Sequence, residues 1–470
     1  MMRNPKALCS VCVFAITLSL SAESGALYAA EPAFEFTVSS YLGGAGFDDA
    51  VVGCRFTSGG EIVLAANLSP DAQAKLPAAK KTGLGEGRAG CILHLDAEGK
   101  KITAVTALAG RLHDMCLGKD DAIYVAAGDE GAMKLTADAA KVLWQASPGA
   151  VSRIDVGDDD TCGVVCGGKI LIYDADGKQI GSAGGGQYTT DVCVHAGSKT
   201  VIQCGFRNAR AFDGKKTYPV QICYLRGHAY DGELKWRNYD WSTDRASDRF
   251  LNKPTNNMAD SRADRVSIGA DGKLYATFQV AGGNHIFRYS PRDIMQKVEL
   301  AGGDKFHQFY HSQAEHKNVV CRYEPATGEY RVGQQLCGRL SSGRANAVVT
   351  KEGDITADAA GRVYFVGKSA YGIPVNLNPT GGDYLGGGFL AVYSPDMKQR
   401  LLITRTSDGK GSPHAVATRT DAAGKTTVVY GGGGMVEGMF TQAAIQPKAA
   451  DATAEKNDPQ DGFFAVLKEA

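Results

Sequence analysis

Two stretches of sequence decide the fold: GDITADAAGRVYFVG at residues 353–367 and GGGFLAVYSPDMKQRLLITR at residues 386–405. In each of them, apolar residues recur with a period of two on both sides of a polar turn, which is the pattern of two β-strands joined in a hairpin. Because the second hairpin is the next one along the chain, the two together predict a four-stranded antiparallel sheet.

Both hairpins recur along the chain. Copies of the first begin at Asp49, His113, Ser152, Thr190, Asp264, Gly353 and His414. Copies of the second begin at Cys91, Met133, Ile170, Ala229, Val319 and Phe389. Repetition of a four-stranded unit is typical of a β-propeller, in which each unit forms one blade. The predicted fold class is therefore all-β, with a β-sandwich or a solenoid as the alternative.

The number of first hairpins predicts seven blades. Eight blades are the alternative, because HIFRYSPRDIMQKVEL at 285–300 resembles one more hairpin. The strand-like segments FEFTVSSYLGG at 34–44 and GFFAVLKEA at 462–470 match the two strands of a single second hairpin. Pairing of these N- and C-terminal strands would close the ring and remove both sheet edges. We expect one propeller domain over 31–470, with insertions at about 207–263 and 282–317.

Composition agrees with a soluble β protein. The chain of 470 residues holds 59 glycines against 15 prolines, which favours many tight turns. It has 51 basic and 51 acidic side chains, whereas nucleic-acid-binding domains usually carry a basic excess. We therefore expect no nucleic-acid partner.

Residues 1–30 have the pattern of a secretory signal peptide. Arg3 and Lys6 precede the apolar run ALCSVCVFAITLSL at 7–20, and small residues follow it. The run is too short to span a bilayer well, so we expect no transmembrane anchor and a protein that is exported to the periplasm, the cell surface or the medium. Ten cysteines remain beyond this segment, and their spacing favours thiols buried in the core over disulfides or a zinc site.

The segment SYLGGAGFDDAVVG at 40–53 resembles the YLGG-type repeat of bacterial exported β-propellers. The residues from about 350 onward are similar to later parts of that repeat, whereas the likeness is weak between 110 and 340. The resemblance implies a propeller of about seven blades. It implies no catalytic residues, because such propellers share none, and architecture alone does not define activity.

The predicted insertions contain the candidate site residues. In the second insertion, His307, His311, Glu315 and His316 combine imidazoles with a carboxylate, a set that could hold zinc or a similar divalent metal ion. The alternative is a group of polar loop histidines that only form hydrogen bonds.

In the first insertion, Tyr239, Trp241 and Arg237 are candidate binding residues, because loop aromatics can stack on sugars or anchor a protein. Trp236 is assigned to the sheet core instead. Tyr239 and Trp241 could also be core residues.

Two functions follow from these patterns. The first is a non-catalytic scaffold that binds a protein or a glycan through its insertion loops. The second is an enzyme, either a metal-dependent lyase or hydrolase or a quinoprotein-like oxidoreductase, since KLTADAAKVLW at 134–144 and AYDGELKW at 229–236 faintly resemble quinoprotein repeats. We expect the first because the sequence shows no recognisable catalytic motif.

Overall fold

The computed structural model of the protein describes residues 34–85, 89–184, 187–212, 217–241, 260–281, 286–294, 296–298, 316–379, 381–406, 411–435, 440–450 and 460–470. The expected signal peptide at 1–30 lies outside these ranges. Among the described residues, no helix has the length and apolar character needed to cross a bilayer.

Regular structure in this part of the chain is nearly all β, as predicted, and it forms four-stranded antiparallel groups in chain order. Sheet 1 holds β2 (Ala50–Phe56), β3 (Ile62–Asn67), β5 (Gly90–Leu95) and β6 (Ile102–Ala107), with β4 (Lys80–Gly83) parallel to β6. Sheet 2 holds β7 (Asp114–Leu117), β8 (Ile123–Ala126), β9 (Ala132–Leu135) and β10 (Val142–Ala146). Sheet 3 holds β11 (Val151–Val156), β12 (Cys162–Cys166), β13 (Lys169–Tyr173) and β14 (Gln179–Ala183).

The remaining groups follow the same pattern. Sheet 4 holds β15 (Tyr188–His195), β16 (Thr200–Phe212), β17 (Thr217–His228) and β18 (Leu234–Tyr239). Sheet 5 holds β19 (Ser261–Ile268), β20 (Leu274–Val280), β21 (Lys317–Tyr323) and β22 (Tyr330–Leu336). Sheet 6 holds β25 (Val348–Ala357), β26 (Val363–Ala370), β27 (Gly386–Tyr393) and β28 (Arg400–Arg405). Sheet 7 holds β29 (Ser412–Thr420), β30 (Thr426–Met435), β31 (Asp461–Glu469) and β1 (Phe34–Leu42).

Smaller elements lie between these groups. They are α1 (Pro70–Lys75), the short strands β23 (Gly338–Arg339) and β24 (Ala345–Asn346), and 3₁₀ turns at Lys119–Asp121, Ala196–Ser198 and Ile286–Arg288. Helix α1 begins at Ser69, whose hydroxyl accepts a hydrogen bond from the backbone N–H of Ala72 and so caps the first turn. The four-stranded antiparallel groups are consistent with the predicted propeller blades.

The expected pairing of the N- and C-terminal strands is present. β1 runs antiparallel to β31, with Tyr41 opposite Phe463 and Leu42 opposite Gly462. β31 also pairs with β30, so the C-terminal strand lies between β30 and β1. One further pair, Ala50 with Gly433, joins sheet 7 to sheet 1.

The YLGG segment has a specific role at this junction. Gly43 follows β1, and a Cβ atom there would lie 2.5 Å from Oδ1 of Asp461 and 2.6 Å from Oδ2 of Asp49, so only glycine fits. The buried Asp49 carboxylate accepts the N–H of Gly44 at 2.7 Å and that of Ser69 at 2.9 Å. These bonds hold the end of sheet 7 against sheet 1, which explains why the glycines precede an acidic residue.

The core lies between neighbouring sheets. Its apolar clusters combine side chains of adjacent sheets, such as Leu64 of sheet 1 with Val429 and Phe464 of sheet 7. The ten described cysteines are all unpaired, and every one except Cys166 is buried. The prediction that these thiols fill the core is confirmed.

The insertions differ from their predicted bounds. Residues 207–212 and 217–239 continue sheet 4 as β16, β17 and β18, which leaves 240–260 as the connection after that sheet. In 285–300, the described residues form a 3₁₀ turn and the single bridge Tyr289–Lys297 rather than a hairpin. Ile286 and Phe287 are buried in the cluster between sheets 4 and 5.

Removal of residues 462–470 tests the pairing of the terminal strands. Their loss leaves β1 and β30 without the strand that bonds to both, so the melting temperature should fall by more than about 10 °C. Differential scanning calorimetry measures this fall. Lys468→Asn, a change near the partly exposed end of the same strand, serves as the control and should melt within a few degrees of wild type. A deletion variant that melts like wild type would contradict the assigned role of β31.

Candidate functional site

The two ends of the sheets differ in their connections. Neighbouring strands are antiparallel, so the turns after the first and third strands of a sheet lie at one end, here called the turn end. None of the turns between described strands at this end exceeds six residues, as at 96–101. The opposite end, here called the loop end, carries the long connections, which span 68–89, 240–260, 281–316, 337–347, 371–385 and 436–460. Both predicted insertions open at the loop end.

Three neighbouring cavities lie between the first strands of the sheets. The chamber at the loop end has a volume of about 270 Å³, and the chamber at the turn end has a volume of about 570 Å³. A waist of about 30 Å³ lies between them. The waist shares Arg153, Arg265 and His414 with the loop-end chamber, and it shares Arg55 and Asp354 with the turn-end chamber. The cavities therefore lie in a row, here called the path, and the smallest of them, the waist, is lined by charged side chains.

β-Bulges aim these charges into the waist. The register of β11 shifts just before Arg153, that of β15 just before Asp191, and that of β19 just before Arg265. A wider irregularity in β25 ends at Asp354. A bulge bends its strand and redirects the following side chain. The same local feature thus places four charged residues from four sheets around one narrow space.

The waist carboxylates bond to the next sheet. Each accepts a backbone N–H from the first strand of the following sheet. The pairs are Asp114 with Ile154 at 3.1 Å, Asp155 with Val194 at 2.8 Å, Asp191 with Val266 at 3.0 Å and Asp354 with Val416 at 3.2 Å. Hydrogen bonds are directional, so each of these fixes one first strand against the next. These aspartates therefore join neighbouring sheets, which is primarily a structural role.

The waist holds both signs of charge at short range. Nη1 of Arg55 lies 3.9 Å from Oδ2 of Asp354. Arg265 is 5% exposed and donates through Nε to the carbonyl of Gly353 at 2.7 Å, which joins sheet 5 to sheet 6. Its Nη1 donates to the carbonyl of Asp264 at 2.7 Å. Two backbone carbonyls thus fix the orientation of this guanidinium.

Burial alters the acidity of these groups. It raises the pKa of Asp155 to about 7 and that of Asp191 to about 6, and the hydrogen bonds and cations nearby offset the rise only in part. Burial also raises the pKa of Asp114. Burial lowers the pKa of Arg265, and the nearby Arg153 guanidinium lowers it further. Loss of solvation of the charged form on burial is the main cause of all four shifts.

The loop-end chamber is lined mainly by cations. Its charged or titratable lining residues are Arg111, His113, Arg153, Arg265, Lys351, Glu352 and His414. Four of these carry a permanent positive charge and only Glu352 carries a negative one, although the whole chain has a net charge of +0. By contrast, the turn-end chamber is lined by Arg55 together with Asp155, Asp158 and Asp354. Positive charge is therefore concentrated at the end with the long connections.

The structure buries two of the three predicted binding residues. Tyr239 is 4% exposed and Trp241 is 7% exposed, so the expectation that their rings are available at the surface is wrong. The Tyr239 ring packs 5.3 Å from Phe278, and its hydroxyl lies 2.7 Å from that of Tyr323. Arg237 is exposed, and its binding role stays a prediction. Trp236 is buried, as predicted.

A backbone reversal explains the burial of these two rings. Tyr239 and Asp240 have φ angles of 58° and 49°, in the left-handed region, so the alternation of strand faces ends there. Asp240 is held by Arg207 at 2.8 Å and by Arg226 at 2.6 Å. These ion pairs fix the turn that returns Trp241 to the core.

Three of the four candidate metal ligands lie outside the residues that the structure describes. His307, His311 and Glu315 do not belong to the described ranges, and His316 immediately precedes β21. Within the described ranges, no three His, Cys, Asp or Glu side chains are grouped as a metal site would require. The divalent metal ion at His307, His311, Glu315 and His316 therefore stays a prediction.

Sequence reasoning missed the charged path. The signal was present, because HDMCLG, SRIDVG, TDVCVH, DRVSIG and GDITAD each place a charged residue inside an otherwise apolar first strand. A buried charge in a strand requires a partner, so such residues indicate either a junction or a site. Neither a family model nor a curated protein matches this chain.

Alanine substitution separates the buried aromatics from the exposed arginine. Tyr239→Ala and Trp241→Ala should each lower the free energy of unfolding by about 3–5 kcal/mol, because each leaves a cavity in the core. Arg237→Ala, the matched exposed change, should stay within about 0.5 kcal/mol of wild type. Urea denaturation monitored by fluorescence provides the measurement. A loss below about 1 kcal/mol for both ring variants would refute their core role.

The raised pKa of Asp155 predicts a pH-dependent stability. The folded carboxyl keeps its proton up to a pH of about 7, whereas the unfolded one loses it near its ordinary value of 3.8, so its contribution to stability falls as the pH rises between these values. Asp155→Asn keeps an oxygen that can accept the Val194 N–H but does not ionise. Relative to wild type, it should gain on the order of 1–3 kcal/mol between pH 5 and pH 8.

Asp138→Asn is the control for this comparison. Hydrogen bonds from Thr136 and Ala140 lower the pKa of Asp138 to about 2, so its contribution is already complete at pH 5 and stays constant up to pH 8. Chemical denaturation at both pH values should show a pH-independent effect for this variant. The same constant difference for Asp155→Asn would show that Asp155 is ionised throughout.

Proposed function

We propose that the chain is an exported, closed seven-bladed β-propeller that binds its ligand without catalysis, through the loop end of its blades. The ligand is a protein or a glycan. Export is supported by the sequence of residues 1–30 alone.

The circuit of first strands supports a ring of seven. β2 contacts β7, β7 contacts β11, β11 contacts β15, and β15 contacts β19. β19 contacts β25, β25 contacts β29, and β29 contacts β2. Together with the pairing of β1 and β31 inside sheet 7, this order favours a closed arrangement with one sheet per blade.

The observation that carries the binding role is the difference between the two ends. Every connection longer than ten residues between described strands lies at the loop end, and the cationic chamber opens at the same end. Binding residues are usually carried by loops on a rigid scaffold, and ligand sites are usually concave. The short turns at the other end offer little variable surface.

The waist favours binding over catalysis. Its carboxylates have raised pKa values, which often mark catalytic acids and bases. However, Asp155 and Asp191 already accept backbone N–H groups that join the sheets, and the waist of about 30 Å³ admits little more than water. A reacting substrate does not fit beside Asp191, which lines the waist alone, whereas Asp155 also borders the turn-end chamber, where its carboxylate is already bonded to the Val194 N–H.

The test shortens the β16–β17 hairpin, whose turn lies at the loop end. β16 and β17 extend beyond the rest of sheet 4, and Arg210 pairs with Pro219 in that extension. Replacement of 210–219 by Asn-Gly, which leaves the paired residues Ala209 and Val220 to flank a two-residue turn, should keep the fold but remove part of the binding surface. Wild type is first screened against an array of glycans and against envelope proteins. The affinity of the shortened variant for the ligand found in this way should be at least about tenfold lower.

The control alters the opposite end. Lys178→Gln with Lys425→Gln changes two exposed residues of turns at the turn end and should leave binding unchanged. Loss of binding in this control alone would place the surface at the turn end. Turnover of a bound glycan by the wild type would contradict the non-catalytic part of the proposal.

A further inference from the structure

We propose that the loop-end chamber is a binding site for an oxyanion group, a carboxylate or a phosphate, and that the ligand of this protein is therefore acidic. This inference deepens the proposed function and rests on its choice of the loop end.

The position of the cations supports this site. Arg111 precedes β7, Arg153 lies on β11, Arg265 lies on β19, and Lys351 lies on β25, so four sheets contribute one positive charge each to a single cavity. Such convergence of like charges is unfavourable unless a counter-charge compensates it. The aspartates of the waist compensate it in part, but they bond to backbone N–H groups around the narrow space below. The side of these cations that faces the loop-end chamber therefore remains available to a ligand.

Arg265 provides a pre-oriented donor. Nε and Nη1 are held by the carbonyls of Gly353 and Asp264, and among the described residues no group accepts a hydrogen bond from Nη2. The guanidinium is a planar fork that suits carboxylate and phosphate oxygens. Because backbone carbonyls already fix it, ligand binding would cost little ordering of this side chain.

The histidines of the chamber report the same positive field. Burial lowers the pKa of His113, and Arg153 and Arg111 lower it further. Burial likewise lowers the pKa of His414, with Arg153 and Arg265 adding to the effect. Nδ1 of His414 lies 3.0 Å from the carbonyl of Glu352, to which it can donate. Burial is the main cause of both shifts, and Glu352 opposes the shift of His414, while the neighbouring cations make each imidazole still less able to accept a proton. A bound oxyanion would oppose the effect of these cations.

The size of the chamber limits the group that enters. A volume of about 270 Å³ is near the lower end of the range for small-ligand sites. It accommodates one small anion or one acidic unit of a larger ligand, while the long connections around it contact the remainder. The two sources of the oxyanion, a free anion or an acidic sugar unit, share the chemistry recognised here.

The experiment titrates the purified full-length protein with inorganic phosphate, D-glucuronate and D-glucose by isothermal titration calorimetry at low ionic strength. We expect one or both anions to bind, binding to weaken as salt is added, and the neutral sugar not to bind. Binding of glucuronate alone supports an acidic sugar unit, and binding of phosphate alone supports a free or esterified phosphate.

Two exposed cations supply the variant. Arg111→Gln with Lys351→Gln removes half of the permanent positive charge of the chamber without altering a buried side chain, and affinity for the anion should fall at least about tenfold. Lys178→Gln with Lys425→Gln, which removes the same charge at the turn end, should retain full affinity. Thermal melts of both variants check that the fold is intact.

The proposal is overturned if neither anion binds wild type at about 10 mM, or if the Arg111 and Lys351 variant binds like wild type. These failures are separable from failure of the proposed function. A protein that binds its glycan or protein partner through the loop end but no oxyanion would refute only the chamber. If shortening the β16–β17 hairpin leaves partner binding unchanged while the protein still binds the anion, only the proposed binding surface of the loop end is refuted.

Discussion

A hydrogen bond between the carboxylate of one first strand and the backbone N–H of the next is the constraint on which the remaining structure depends. Asp114, Asp155 and Asp191 make this bond in three successive sheets, and Asp354 makes it between sheets 6 and 7. Apolar packing between sheets is non-directional and does not fix their relative position along the strands. A directional bond at each of these four junctions does, which explains why buried carboxyl groups are retained there despite their cost.

The same bonds determine which charges face the cavity. Because an aspartate directs its oxygens at backbone amides, it is less available to the arginines beside it, and only Arg55 and Asp354 lie within 4.0 Å of each other among the charges of the described waist. The positive charge of Arg153 and Arg265 is therefore only partly neutralised in the waist, and it also acts on the loop-end chamber. The bulges that precede these two arginines turn their side chains inward. A local irregularity of the backbone therefore places charged side chains in the cavities between the repeated sheets.

The sequence predicts the repeated elements well and the site poorly, for one physical reason. Strands and hairpins follow from a period of two and from turn residues, which are local, so the two hairpins and the pairing of β1 with β31 were predictable. The waist depends on bulges and on contacts between residues far apart in the chain, as between Asp191 and Val266. The burial of Trp241 was also not predictable from the alternation of strand faces. The left-handed residues Tyr239 and Asp240 end that alternation and return this ring to the core.

The division between the two ends follows from where the sheets are joined. The hydrogen bonds of the waist aspartates, which join neighbouring first strands, lie below the loop-end chamber. Connections on the far side of this chamber can therefore be longer without disturbing those bonds. Loop length costs little free energy when the anchor points are fixed. A rim of long loops therefore surrounds a chamber whose charges are positioned by strands, so the proposed ligand would meet fixed charges in the chamber and loop surface around it.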